Sequence, residues 1–183
     1  MMKIKHSHLI LDACCILNLC ASGYFIEIIK SISVPVVVAE VVRSKELLTL
    51  QRLINENSKA LNQFEAAIEK RLLLVVDFNS DHEAETFVNY ASIMDDGESA
   101  SGAIAVHRNW AIATDDKKAI SFFQREAPYL QILCTLEIVK NWSDISNISS
   151  TTLRSALNSI RTQGRYIPHR NHPLLSWWDT MMQ

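Results

Sequence analysis

Five short apolar runs, each too brief for a helix and separated by longer helix-like stretches, constrain this chain most. They are His8 to Leu11, Val34 to Val38, Leu72 to Val76, Trp110 to Ala113 and Leu130 to Leu133. Short runs of this kind, several of them rich in Val and Ile, suit strands buried on both faces. Strands that alternate with helices assemble by right-handed crossovers into a parallel sheet. The expected fold is therefore α/β: a five-strand parallel sheet with helices on both faces. Pro35 lacks an N–H, so the second run should either begin at it or lie at an edge.

Between the runs, helices are expected from Cys14 to Leu19, from Tyr24 to Ile32, and from Ala39 to about Arg71 with a break near Asn55–Ser58. Ser80 or Asp81 caps a helix reaching about Ile93, with Glu83 and Glu85 in its first turn. Asp95-Asp96-Gly97 reads as a turn and Glu98 as the opening of a helix to Arg108. A short helix follows from Asp116 to about Gln124, and Thr135 starts another. The polar stretch from Ser143 to Thr152 reads as a linker. Leu153, Ala156, Leu157 and Ile160 then share one face of a helix closed by Gly164, and Tyr166 to Trp178 looks irregular. The expected organisation is a body over residues 1–142 and a short helical and irregular C-terminal extension over 143–183.

Acidic residues punctuate this pattern. Asp12 follows the first run, Glu40 the second, and Asp115–Asp116 the fourth, while Glu98 sits at a helix start. In a parallel sheet all strand ends meet on one edge, the edge where ligands bind. Carboxylates distant in sequence then converge. Such a cluster repels itself unless a cation neutralises it, and an all-oxygen set suits Mg²⁺ or Mn²⁺. Each acid also has a plain structural use: Asp12 as an N-cap, Glu40 and Glu98 as first-turn helix residues, and one of Asp115–Asp116 as a cap or turn residue.

Charge and cysteine usage narrow the classes. Net charge is −2; residues 1–140 carry 14 Lys and Arg against 18 Asp and Glu, whereas residues 141–183 carry 4 against 2. An acidic body beside a mildly basic tail suits a metal-dependent enzyme with an anionic substrate. No Gly-x-Gly-x-x-Gly or Walker loop occurs, which argues against a dinucleotide or P-loop site. Cys14, Cys15, Cys20 and Cys134 form no Cys-x-x-Cys pair and lie among apolar residues, as buried thiols of a reducing compartment do. Neither a leader nor a stretch long enough to span a bilayer is evident, so a soluble cytoplasmic protein with no membrane partner is expected. His169 and His172 lack the flanking ligands that a zinc site would need and read as loop histidines. Trp177 and Trp178 suit pinning of the chain end or filling of a partner groove better than base stacking.

Taken together, Leu-Ile-Leu-Asp12-Ala-Cys-Cys-Ile-Leu-Asn18, Val-Ala-Glu40-Val-Val, Asp-Gly-Glu98-Ser-Ala-Ser-Gly-Ala and Ala-Thr-Asp115-Asp116-Lys-Lys-Ala resemble, in order and spacing, the motifs of the PIN-domain ribonucleases, the family of the VapC-type toxins. The resemblance covers about residues 8–140. It implies a PIN-like sheet and Mg²⁺- or Mn²⁺-dependent hydrolysis of RNA phosphodiester bonds. Asp12 would be the central metal ligand beside Asp115 or Asp116, with Glu40 and Glu98 completing the acidic set. A Thr-x-Asp reading favours Asp116 and a strand-end reading Asp115. Many members carry a further acid inside the third-motif helix, where this chain has Ser101 and Gly102, so the third ligand is Glu98, Asp95 or Asp96. Lys117, Lys118 and Arg43 could meet substrate phosphates or be solvated helix charges; Asn18 and Thr114 could orient a carboxylate or serve the fold. The resemblance further implies an RNA substrate, a cognate antitoxin protein as partner, and homodimers. Two other readings remain: a catalytically weakened binding or scaffold module acting through its tail, and a phosphatase or flap-type DNA nuclease on the same sheet.

Overall fold

The computed structural model describes residues 2–44 and 58–183. Its sheet comprises β1 (Leu9–Leu11), β2 (Val36–Ala39), β3 (Leu73–Val76), β4 (Ala111–Ala113) and β5 (Ile132–Leu133), in the order β3-β2-β1-β4-β5, with every pair parallel. All residues of β1, β2 and β4 are buried. Because successive side chains of a strand point to opposite faces, burial of every one means that both faces are covered. β2 is an interior strand, so Pro35 stands at its start rather than at an edge; the Pro35 carbonyl accepts the Leu9 N–H at 3.0 Å.

The helices are α1 (Ala13–Ala21), α2 (Phe25–Lys30), α3 (40–44, the part described), α4 (Ser58–Glu69), α5 (Asp81–Ala91), α6 (Asp96–Arg108), α7 (Lys117–Glu126), α8 (Thr135–Ser146), α9 (Ser150–Thr162) and α10 (Leu175–Met182). α6 lies along β1, β2 and β4 and pairs with α5, while α1 packs with α2, α4, α8 and α9. Of the expected long helix from Ala39 the described parts are α3 and α4; its expected break near Asn55–Ser58 lies outside the described residues but for Ser58, which opens α4. The α5–α6 pair is tied by Arg108, which donates from Nε to Glu83 Oε1 at 2.8 Å and from Nη2 to Glu83 Oε2 at 2.8 Å. That guanidinium holds the buried Glu83 carboxyl below its usual range.

Three boundaries differ from the sequence expectation. Asp95 is the N-cap of α6 rather than part of a preceding turn: its side chain accepts the Glu98 N–H at 2.9 Å, so the helix opens at Asp96. The stretch expected to be a linker is mostly helix. α8 continues to Ser146 and stops where Asn147 adopts a left-handed φ of 45°, and Ser149 caps α9 two residues later. The aromatic end is irregular only as far as Leu174; α10 then buries Trp178 against Tyr166. The extension thus packs on the body, with Leu153, Ala156, Leu157 and Ile160 of α9 all buried and α9 in contact with α1.

Gly102 decides how closely α6 approaches α7. A Cβ there would lie 2.3 Å from Phe123 Cζ and 2.5 Å from Cε1. Phe123 is fully buried, its ring wedged against Phe122 and Tyr90, so it has nowhere to swing. Neither a methyl nor a carboxylate fits at Gly102 without moving the two helices apart. Gly102→Ala is expected to cost about 1–3 kcal/mol through overpacking, read as a fall in Tm of several degrees; an unchanged Tm would contradict this packing.

Candidate functional site

β2 and β3 lie on one side of β1, and β4 and β5 on the other. The chain reverses its direction of sheet growth between β1 and β4, and the crevice at their C-terminal ends is the topological switch point of the fold. Asp12 and Asp115–Asp116 stand at this crevice because each directly follows, or nearly follows, the last residue of its strand. The register Leu11↔Ala113 continues one step further, with the Asp12 N–H donating to the Ala113 carbonyl at 3.0 Å.

Asp12 is the N-cap of α1 and is only 1 % exposed. Its Oδ1 accepts the Ala13 N–H at 2.8 Å; its Oδ2 accepts the Thr114 hydroxyl at 2.9 Å and the Cys14 thiol at 3.4 Å. Burial outweighs these bonds and pushes the carboxyl up from 3.8 to about 6, with nearby Asp95 adding to the rise. Thr114, itself fully buried, uses the same Oγ1 to accept the Asp116 N–H at 3.2 Å. One hydroxyl therefore joins the first acid to the backbone of the last. Asp116 caps α7, its Oδ1 accepting the N–H groups of Lys118 at 2.7 Å and Ala119 at 2.8 Å.

The first turn of α6 completes the cluster. Glu98 is raised to about 7, first by burial and then by the charges of Asp95, Asp116 and Asp12. Gly97 stands beside them: a Cβ there would make ordinary contacts, 3.5 Å from Asp95 Oδ1 and 3.8 Å from Asp12 Oδ1. Asp12, Asp95, Glu98 and Asp116, from three separate segments, thus form one electrostatic group, in which Asp95 raises Asp12 and Asp95, Asp116 and Asp12 raise Glu98.

Two other acids named from the sequence go elsewhere. Asp115 turns away from the cluster. Its Oδ1 accepts the Thr135 N–H at 3.0 Å, and its Oδ2 accepts Asn18 Nδ2 at 2.9 Å, the Cys15 thiol at 3.6 Å and the Thr135 hydroxyl at close range. It is a brace that clamps the end of β4 to α1 and to the start of α8, and Asn18 belongs to that brace. Glu40 begins α3 with its side chain 40 % exposed and paired with Arg43 at 3.2 Å, which engages both residues. The neighbour that α3 sends toward the cluster is instead Val42, whose Cγ2 lies 3.5 Å from the Gly97 Cβ position. Asp96 lies in the first turn of α6, and Lys117 and Lys118 are exposed at the start of α7. In the sequence Thr135 reads as a helix start and Cys15 as a buried thiol, but neither as a partner of Asp115; the cue is the polar Cys134-Thr135 step at the start of α8, where Cys134 and Glu137 form a capping box.

Among the described residues, one donor set, Cys14, Cys15 and Asp115, already has its ligand atoms within 4.8 Å of one another, and no three carboxylates of the acidic group do. Burial pushes the Cys15 thiol well above its usual range, so it stays protonated and serves as a donor to Asp115. The four-carboxylate group is different in kind: all oxygen, self-repelling, with two members held well above their ordinary pKa values. Its donor chemistry fits a hard divalent cation. No family model matches the chain, and no curated protein or solved structure matches it either.

The electrostatics make stability depend on pH in a stated direction. The Asp12 carboxyl binds its proton more tightly folded (about 6) than unfolded (3.8). Its protonation therefore stabilises the fold below about pH 4, and that stabilisation is lost as pH rises through 6. For Asp12 alone the loss is on the order of 3 kcal/mol, and Glu98 extends the trend toward pH 7. In metal-free buffer with chelator, Tm should be higher at pH 5 than at pH 8, and Asp12→Asn should flatten that profile. A variant profile as steep as the wild type's would rule the assignment out.

Proposed function

We propose that this protein is a PIN-like, Mg²⁺- or Mn²⁺-dependent endoribonuclease. The observation that carries this reading is the convergence of Asp12, Asp95, Glu98 and Asp116 at the switch point of a parallel sheet. The motif resemblance along residues 8–140 supports it and supplies RNA as the substrate class. Bound there, a divalent cation supplies Lewis acidity for attack of water on the phosphodiester bond. Asp12 and Asp116 are the residues that would hold it, with Glu98 and Asp95 closing the acidic wall. Thr114 is a positioning residue: its hydroxyl fixes the Asp12 carboxylate and the Asp116 backbone at once. The Asp115 brace keeps β4, α1 and α8 in register beneath the cluster. By the same resemblance the protein is a toxin acting in the cytoplasm, restrained by a cognate antitoxin that covers the acidic crevice.

A second reading, a weakened module that binds without cutting, draws on α6. Many family members carry an acid inside this helix, and Gly102 here is closed by Phe123. Buried Ser99 and Ser101 hydroxyls, which have no hydrogen-bond partner, add no charge in its place. A phosphatase or a flap-type DNA nuclease on the same sheet is the third.

Cleavage of a labelled RNA pool and of matched DNA, with Mg²⁺ or Mn²⁺, separates the three. The wild type is expected to cut RNA and to stop on chelation. Outer-shell partners of metal sites typically contribute 10–100-fold, so Thr114→Val should lose roughly that much and Asp12→Asn or Asp116→Asn at least about 100-fold. Cutting unaffected by Asp12→Asn, or confined to DNA, would sink the proposal.

A further inference from the structure

Beside the acidic crevice lies a cleft of about 530 Å³, walled on one side by Lys117 and Ile120 of α7 and on the other by the loop between α9 and α10. It adjoins the cluster directly. Lys117 follows the cluster residue Asp116, and Cys14 separates the two sites, its sulfur 3.4 Å from Asp12 Oδ2 and 3.2 Å from the Asp115 N–H. The volume suits one or two nucleotide units.

The cleft differs from the acidic body around it. Lys117, Arg165, His169 and Arg170 line it, and all four are exposed. No carboxylate pairs with Lys117, Arg165 or Arg170 among the described residues. Asp115 is the one acid in the lining, and its oxygens are already taken by Thr135, Asn18 and Cys15. Between the cations run Ile120, Tyr166 and Pro168, an apolar floor. Isolated surface cations normally sit near acids in a chain of net negative charge; here they face one opening.

The loop is built rather than slack. Gly164 packs so closely on α1 that a Cβ would lie 2.6 Å from Asn18 Oδ1. The next residue, Arg165, holds a left-handed φ of 55°, which turns the chain outward. Tyr166 then donates its N–H to the Ile160 carbonyl at 3.3 Å and sets its ring edge-on to Trp178. At the far end His172 Nδ1 accepts the Leu174 N–H at 3.0 Å, which leaves Nε2–H facing the Cys134 sulfur at 3.2 Å. Ordering costs on binding are correspondingly small.

We propose that this cleft is a binding site for single-stranded RNA, with Arg165, Arg170 and Lys117 holding backbone phosphates and the apolar floor receiving a sugar or base. The RNA identity rests on the nuclease reading above; the phosphate site itself does not. The cleft carries the strand past the acidic crevice and gives the C-terminal extension its role.

The test is fluorescence anisotropy of a labelled single-stranded RNA on the full chain in chelator, where no metal-dependent cutting occurs. Arg165→Gln/Arg170→Gln should weaken binding about tenfold or more and, for two phosphates at roughly 0.7 each, flatten the log Kd against log salt slope by about 1.4. Lys30→Gln, which removes one positive charge at the exposed end of α2, should bind like wild type. Unchanged binding by the double variant, equal loss in Lys30→Gln, or equally tight binding of poly-glutamate would overturn the proposal. RNA binding that depends on these arginines in a protein that cuts nothing would leave the cleft standing and remove the nuclease; cutting and binding untouched by the double variant would do the reverse.

Discussion

The hydrogen bond from the Asp12 N–H to the Ala113 carbonyl, the last rung between β1 and β4, sets the geometry of the whole crevice. It fixes where α1 departs from the sheet and places Thr114 directly against the Asp12 carboxylate. A buried carboxylate is costly, and only the α1 N-terminus, one hydroxyl and one thiol offset that cost here. The elevated pKa of Asp12 is the residue of that imbalance. Burial of every residue in β1, β2 and β4 makes the arrangement rigid enough to keep like charges close.

Asp115 and Asp116 show how one step along the chain changes the partners of a carboxylate. Past the end of β4 their side chains diverge. Asp115 meets donors from α1 and α8 and becomes part of the scaffold, while Asp116 caps α7 and joins the charges around Glu98. The brace in turn supports the neighbouring cleft, since Asn18 carries both the Asp115 contact and the close approach of Gly164. The acidic crevice and the basic cleft are thus two faces of one packed unit, opposite in sign and joined through Cys14 and Lys117.

Much of this was legible in the sequence where one physical rule dominated. The five strands were visible because runs buried on both faces leave little polar alternation, and the acids at strand ends were visible because parallel strands share an edge. The choice between Asp115 and Asp116 was not, because it depends on Thr135, which follows twenty residues later in the chain. Glu40 looked like a cluster member by position alone, yet a cation three residues on engages its carboxylate. Asp95 was offered as one of three alternatives and emerged as the cap of α6 and a near neighbour of Asp12. In the tail, the Ser and Asn content around residues 143–152 suggested a linker, but only residues 147–149 leave the helices, and α9 packs on α1. The basic cleft could not be read at all, since its two walls are about fifty residues apart in the chain.

Asp12, Asp95, Glu98 and Asp116 are proposed to form a site for a hard divalent cation. Mn²⁺ titration of the metal-free protein near pH 7.5, followed by electron paramagnetic resonance of the free ion, tests it without any substrate. Saturable binding is expected in the wild type, lost in Asp12→Asn and in Asp116→Asn, and kept in Glu40→Gln. No saturable binding, or binding that survives Asp12→Asn, would contradict it.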